Sequence, residues 1–175
     1  MRVGGMGVGR AILVLGLGFL AIVPASCVSA RRQRFPGSAS SLEELASEVL
    51  DGLTSADTSR LESLRLTEAE HNERVYPELP AARPENNHPA ELAWLNIQTR
   101  NRVGRTRLLG AFGGRELALT GVECRGETPR FKSFVVHTDC WVDLTVEGEP
   151  HPPVQFFKDV LDRDGELKIF RYYEP

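Results

Sequence analysis

The chain has 175 residues with a net charge of −3, 26% charged and 41% hydrophobic, the composition of an ordinary folded domain with an extension. That balance excludes a disordered or fibrous chain. It gives no basic footprint, so nucleic acid is not an expected partner.

The first 27 residues stand apart. Arg2 and Arg10 are followed by Ala11–Val23, thirteen apolar or Gly residues. As a helix this run spans only about 20 Å, against a bilayer core of about 30 Å. The spacing predicts an export signal over 1–27, and Gly5–Gly9, although rich in glycine, falls inside it. Two processing sites compete. Ala25-Ser26-Cys27 resembles the end of a bacterial lipobox, with Cys27 lipidated and the chain held at a membrane by that anchor. Val28-Ser29-Ala30 is an ordinary small-residue cleavage site. Removing Arg2 and Arg10 leaves 19 basic residues against 24 acidic ones, a net charge of −5. Residues 28–40 carry Pro, Gly and Ser without periodicity and read as a flexible tether.

A domain is expected over 41–175. Ser41 and Glu44 form a capping-box pattern before Leu42, Leu45, Ala46, Val49, Leu50 and Leu53, which recur at helical spacing. Asp57–Leu66 offers a second short helix, and Thr67 with Glu70 opens a third. Pro77, Pro80, Pro84 and Pro89 mark 76–88 as an extended crossing. A long helix then runs from about Ala90 to Phe112, with Pro89 as its first residue, His88 or Asn87 capping it, and Gly113-Gly114 as its stop. Leu92, Trp94, Leu95, Ile97, Leu108 and Leu109 are its apolar positions.

From Arg115 the pattern turns to strands: 115–125, 131–146, and a hairpin over 153–173 around Asp164-Gly165. A strict two-residue turn there sets Lys158 opposite Arg171, two like charges. A three-residue turn with Gly165 in a bulge avoids this. It pairs Leu161 with Leu167 and Asp159 with Ile169. Phe157, Leu161, Leu167 and Ile169 then share one face, with Phe156, Val160, Phe170 and Tyr172 on the other. Helices followed by a strand meander predict an α+β fold, helices packed on a curved antiparallel sheet.

The order of elements resembles the cystatin/NTF2-like cone, in particular small bacterial exported proteins and lipoproteins. The likeness rests on Trp94, Gly113-Gly114-Arg115, His137-Thr138-Asp139 and the terminal hairpin. It implies a conical pocket between sheet and helices. Because that superfamily holds enzymes, adaptors and scaffolds, it does not fix an activity.

Chemistry-bearing residues are few. Cys124 and Cys140 form a disulfide if 125–139 leaves the sheet as an excursion, and otherwise are two separate buried thiols. His137 and Asp139, two residues apart on a strand, share a side and are the catalytic candidates, imidazole being the side chain that titrates near neutrality. Tyr76, Trp94, Trp141 and Tyr172 are pocket candidates, against the plainer reading of core aromatics. Asp162-Arg163-Asp164-Gly165 does not suit calcium, because the first and twelfth loop positions fall on Val160 and Arg171. Among Arg100, Arg102, Arg105 and Arg107, 100° per residue turns Arg102 and Arg105 away from the other two. They form either a solvated face or a contact for anionic headgroups or an acidic partner. No metal or cofactor motif occurs after residue 27.

The expectation is therefore an exported, lipid-anchored binding or accessory protein without catalysis, whose partner is a small apolar ligand or an envelope protein. The alternatives are a cone-fold (SnoaL-like) enzyme using His137 and Asp139, and a homodimerising interaction module.

Overall fold

Apolar positions three and four apart are answered by α1 (Leu42–Thr54), which buries Leu45, Ala46, Val49, Leu50 and Leu53. The computed structural model describes residues 35–86 and 88–175. The export signal, Cys27 and most of the tether lie outside the described residues, as does Asn87. At the start of α1 the Ser41 hydroxyl accepts from the Glu44 N–H at 3.1 Å. The Glu44 carboxylate reaches past its expected target and takes the Ser40 N–H at 2.7 Å.

Asp57 caps α2 (Thr58–Ser63). Thr67 and Glu70 make a reciprocal capping box on α3 (Glu68–Glu70), which loosens at once into a π-turn over His71–Val75. The four-proline segment is not an extended crossing. It forms single 3₁₀ turns at Tyr76–Glu78, Pro80–Ala82 and Pro84–Asn86. Proline presets the φ of a turn, while the residue before the next proline is pushed to extended backbone, as at Leu79 and Arg83, and each turn ends.

The long helix α4 (Ala90–Phe112) has the expected bounds. Pro89 sits one place earlier than expected, as an N-cap with no side-chain hydrogen bond. At the far end Gly113 N–H returns to Leu109 O, and Gly114, at φ +77, donates to Leu53 O at 2.9 Å. Leu92 and Leu95 are not core positions but are 53% and 56% exposed. The inward face is Trp94, Asn101, Gly104, Leu108 and Phe112.

The second half is an open four-stranded antiparallel sheet, β1 (Leu117–Cys124), β2 (Val135–Val146), β3 (Glu149–Arg163) and β4 (Glu166–Tyr172), in sequence order. The fold class is α+β. Cys124 stands directly opposite Cys140, their Cα atoms 3.9 Å apart, and a disulfide joins them. The segment between them is the excursion this pairing needs: it leaves at Arg125, folds back along β2, and re-enters at Val135. Closing such a loop is worth about 3 kcal/mol in the chain-entropy account.

The terminal hairpin corrects the expected register. Asp164 and Gly165, at φ 56 and 81, make a two-residue turn with Arg163 opposite Glu166, Leu161 opposite Lys168, and Val160 opposite Ile169. Both positive φ values suit a primed turn, so no bulge is needed at the tip. The clash of Lys158 with Arg171 is relieved in mid-strand instead. An irregularity there brings Asp159 opposite Arg171, whose Nε donates to the Asp159 carboxylate. Lys158 turns to Asp139, 2.6 Å away. The faces change accordingly. Val160, Leu167, Ile169 and Tyr172 join Phe156, Phe157 and the α1 side chains in one core cluster. Leu161 and Phe170 join Phe35, Leu66, Val75, Phe134 and Val136 in a second. Val160 and Leu161, and Ile169 and Phe170, fall into different clusters, as a period of two requires, while Phe156 and Phe157 beside the register shift share one.

The free edge of β4 is closed piece by piece by the first half of the chain. Leu167 exchanges two hydrogen bonds with Ala39. Ile169 N–H donates to Leu64 O at 3.0 Å and its carbonyl accepts from Leu66 N–H at 3.1 Å. Where the mid-strand irregularity ends that pattern, buried Asn101 takes over, donating to Phe170 O at 3.1 Å and accepting from Tyr172 N–H at 2.7 Å.

So close an approach of α4 to β4 requires Gly104. A Cβ there would lie 2.7 Å from both Tyr172 Cβ and Tyr173 O. Gly104→Ala is predicted to lower stability by about 1–3 kcal/mol through overpacking, measured by urea unfolding. A gain of about 1 kcal/mol, the helix-propensity benefit alone, would contradict the close crossing.

Candidate functional site

The feature best suited to a ligand is a groove of about 640 Å³ between α2 and α4. One wall is the exposed side of α2, Thr58, Ser59 and Glu62, fixed in orientation by the Asp57 cap. The other is a single face of α4, Leu95, Gln98, Thr99, Arg102 and Arg105, spaced three and four apart. Arg65, just after α2, completes the lining.

Arg65 is the unusual member. Its backbone is pinned by the β-bridge to Ile169, and its carbonyl accepts from the buried amine of Lys168 at 3.0 Å. Its side chain is only 3% exposed. The guanidinium carbon lies 5.5 Å from the centre of the Trp94 ring, and Nη2 is 3.0 Å from Glu62. Its Nε has no hydrogen-bond partner. Burial holds the Arg65 pKa below the usual arginine range, and burial likewise lowers Lys168, which Glu70 partly offsets. Glu62 is shared, because Arg105 pairs with its other oxygen. Arg102 is exposed and has no ion-pair partner among the described residues. The groove thus sets three guanidinium groups against one carboxylate, a surplus of positive charge around a ligand-sized space.

A second groove of about 240 Å³, lined by Asn96, Ile97, Arg100, Asp159, Phe170 and Arg171, has no such surplus. There Arg171 pairs with Asp159, and Arg100 is 2.6 Å from Glu174. Arg107 donates to Gln155 O at 2.8 Å. The four helix arginines therefore divide as helical periodicity requires: Arg102 and Arg105 face the larger groove, Arg100 and Arg107 the sheet and the C-terminal residues.

The residues singled out from sequence lie elsewhere. His137 is half-buried with Nε2 3.5 Å from Asp162, and Asp139 has separate partners, Lys158 at 2.6 Å and Gln155 at 3.0 Å. The Lys158 hydrogen bond holds the Asp139 carboxyl below the usual range, with Gln155 adding to it against some desolvation. Asp139 sits at φ 53, outside extended backbone, which breaks the alternation expected to set it beside His137. Neither lines either groove. Tyr172 is fully buried and donates to Leu61 O at 2.9 Å, and burial raises its phenol pKa. Tyr76 donates to the carbonyls of His88 and Ala81. Trp141 lies half-buried beneath Arg125, 5.0 Å from ring centre to guanidinium carbon. Of the four aromatics only Trp94 bears on the groove, as the surface under Arg65. Asp162 and Gly165 form the turn expected of them, Gly165 N–H donating to the Asp162 carboxylate at 2.9 Å. The sequence signal for Arg65 and Glu62 was their three-residue spacing, which by itself says only that they share a helix face.

His71 supports Trp94 from the other side. Fully buried at the start of the π-turn, its ring lies 5.5 Å from Trp94 and 5.7 Å from Tyr76. Nδ1 is 2.7 Å from Asn72 Oδ1, while Nε2 has no partner. Burial lowers its pKa, more than the Asn72 hydrogen bond and Glu68 restore. The unfolded chain therefore takes up a proton first as pH falls. Stability should be independent of this group above about pH 6.5 and fall below it, by at most about 1.4 kcal/mol per pH unit. In urea unfolding at a series of pH values, His71→Gln is predicted to remove that slope whatever its own stability. Equal slopes in the two proteins would contradict the assignment.

Comparison with known protein families, with curated proteins and with solved structures gives no match.

Proposed function

We propose that this chain is a non-catalytic binding protein whose ligand is a small organic anion held in the groove between α2 and α4. The observation that carries the reading is the set of three guanidinium groups, Arg65, Arg102 and Arg105, that line one space with a single carboxylate, Glu62. A carboxylate or phosphate oxygen is the acceptor that such a cluster takes with most gain. The lining is cationic and hydroxyl-rich, so the ligand differs in character from the apolar one expected from the aromatic residues. His137 and Asp139, the catalytic candidates, do not face this space, which favours capture over turnover.

Export and anchoring at Cys27 belong to the same proposal. The short apolar run over Ala11–Val23 and Ala25-Ser26-Cys27 support them, and the Cys124–Cys140 disulfide suits an oxidising compartment. The NTF2-like reading of the fold is likewise part of it, supported by helices preceding a meander whose register shifts gather along β3.

The test is calorimetric titration of the full chain with short carboxylates and phosphate monoesters and with their amide and alcohol counterparts. Anions should bind and the neutral counterparts should not. Arg102→Ala should weaken binding about tenfold or more, whereas Arg100→Ala, whose guanidinium belongs to Glu174, should change Kd by less than about twofold. Equal effects of the two substitutions, or equal binding of neutral analogues, would refute the reading.

A further inference from the structure

We propose that the anion is a single-chain amphiphile, its carboxylate or phosphate head on the groove arginines and its alkyl chain lying along Leu95 and Leu92. This rests on the anion-binding reading and names the class of molecule.

Leu92, Leu95 and Val103 are the exposed large hydrophobic residues of the described chain, and all three belong to α4. An isolated exposed leucine needs no explanation. Leu95 is different, because it lines the groove and is still 56% exposed. Leu92, 53% exposed, lies one turn earlier. At 100° per residue it is turned 60° from Leu95, on the flank it shares with Thr99. Leu95 and Arg102, about 20° apart around α4, share one face, with Leu92 flanking it on one side and Arg105 on the other, so the apolar and cationic positions are separated along the helix. At 1.5 Å per residue, Leu92 and Arg102 are about 15 Å apart. Val103 lies beyond Arg102 and is not part of this track.

Each simpler occupant leaves one half of this surface unused. An inorganic anion satisfies the guanidinium groups but leaves both leucines in water. A neutral apolar molecule covers the leucines but leaves the surplus positive charge of the groove unanswered. A carboxylate or phosphate carrying a medium-length chain meets both requirements. Arg102, exposed and unpaired among the described residues, is free to close on the head from the solvent side, and Thr58 offers a hydroxyl across the groove, that of Ser59 being donated to Asp57.

The experiment is calorimetric titration of the full chain, below any micelle concentration, with hexanoate, decanoate, hexyl phosphate and decyl phosphate. Decanol and decyltrimethylammonium serve as head-group controls. Each methylene fully buried tightens binding up to about fourfold, so even partial cover predicts that decanoate binds at least tenfold tighter than hexanoate. The same ratio is expected between the two phosphates, and the tighter pair identifies the head. Both controls should bind at least tenfold more weakly than decanoate. Leu95→Gln, an exposed position whose change leaves the core intact, should collapse the ratio of decanoate to hexanoate toward one. Anions that all bind alike regardless of chain length would overturn the amphiphile and leave the anion site standing. Failure of every anion to bind would overturn both. A chain-length dependence that persists in Leu95→Gln would also overturn the proposal, because the chain would then lie somewhere other than on α4.

Discussion

The outward edge of β4 is the constraint on which the remaining structure depends. An edge strand exposes a row of backbone donors and acceptors that must be paired, covered or wetted. Here three separated pieces of the first half cover it in turn: Ala39 on Leu167, Leu64 and Leu66 on Ile169, and the Asn101 side chain on Phe170 and Tyr172. The helical half and the strand half are thereby joined through hydrogen bonds as well as apolar packing. The joint also fixes the site. Pairing Leu64 and Leu66 with Ile169 leaves Arg65 between them with no freedom to move its backbone away. Asn101 and Gly104 hold α4 against the same strand, which sets where Arg102 and Arg105 meet the groove.

That arrangement is costly by the standards of stability alone. Arg65 and Lys168 are both nearly inaccessible to water, and each makes the other's charge harder to keep. Glu70 answers Lys168 at 3.4 Å, and Glu62 answers Arg65 at 3.0 Å while also serving Arg105. A buried ion pair seldom improves on well-packed apolar side chains of similar volume. An incompletely satisfied guanidinium beneath a groove is therefore better explained by what it receives than by what it contributes to the core. Trp94 and His71 form the buried layer under it.

Much of the fold was legible because local rules agreed with tertiary need. The stripe Leu45, Ala46, Val49, Leu50 and Leu53, the caps at Ser41 and Thr67, and the Gly113 stop each carry their own mechanism. The helical angle alone divided Arg102 and Arg105 from Arg100 and Arg107. What was not legible depended on partners far away in sequence. The Lys158–Arg171 opposition was recognised, but its relief by a mid-strand irregularity depends on Asp159 and Asp139 as alternative partners, which no turn rule contains. The disulfide was left open because the end of the first strand and the start of the second are set by the excursion over 125–134, a segment without periodicity. His137 and Asp139 looked paired because the strand was read as regular, and positive φ at Asp139 undoes that. Leu92 and Leu95 could not be told from the core positions of α4 because a helix pattern does not say which of two apolar flanks faces the sheet. Arg65 was invisible as a site residue because its burial comes from a single bridge to Ile169, a hundred residues away.

The account turns on whether Arg65 is an anion receptor or only a buried structural charge. The most direct measurement is NMR of the arginine side-chain Nε–H signals during titration of the full chain with a carboxylate. The account predicts that the Arg65 and Arg102 signals move together along one saturating curve, with Arg100 and Arg107 unchanged. Movement confined to exposed arginines, with the Arg65 signal fixed at saturation, would contradict it.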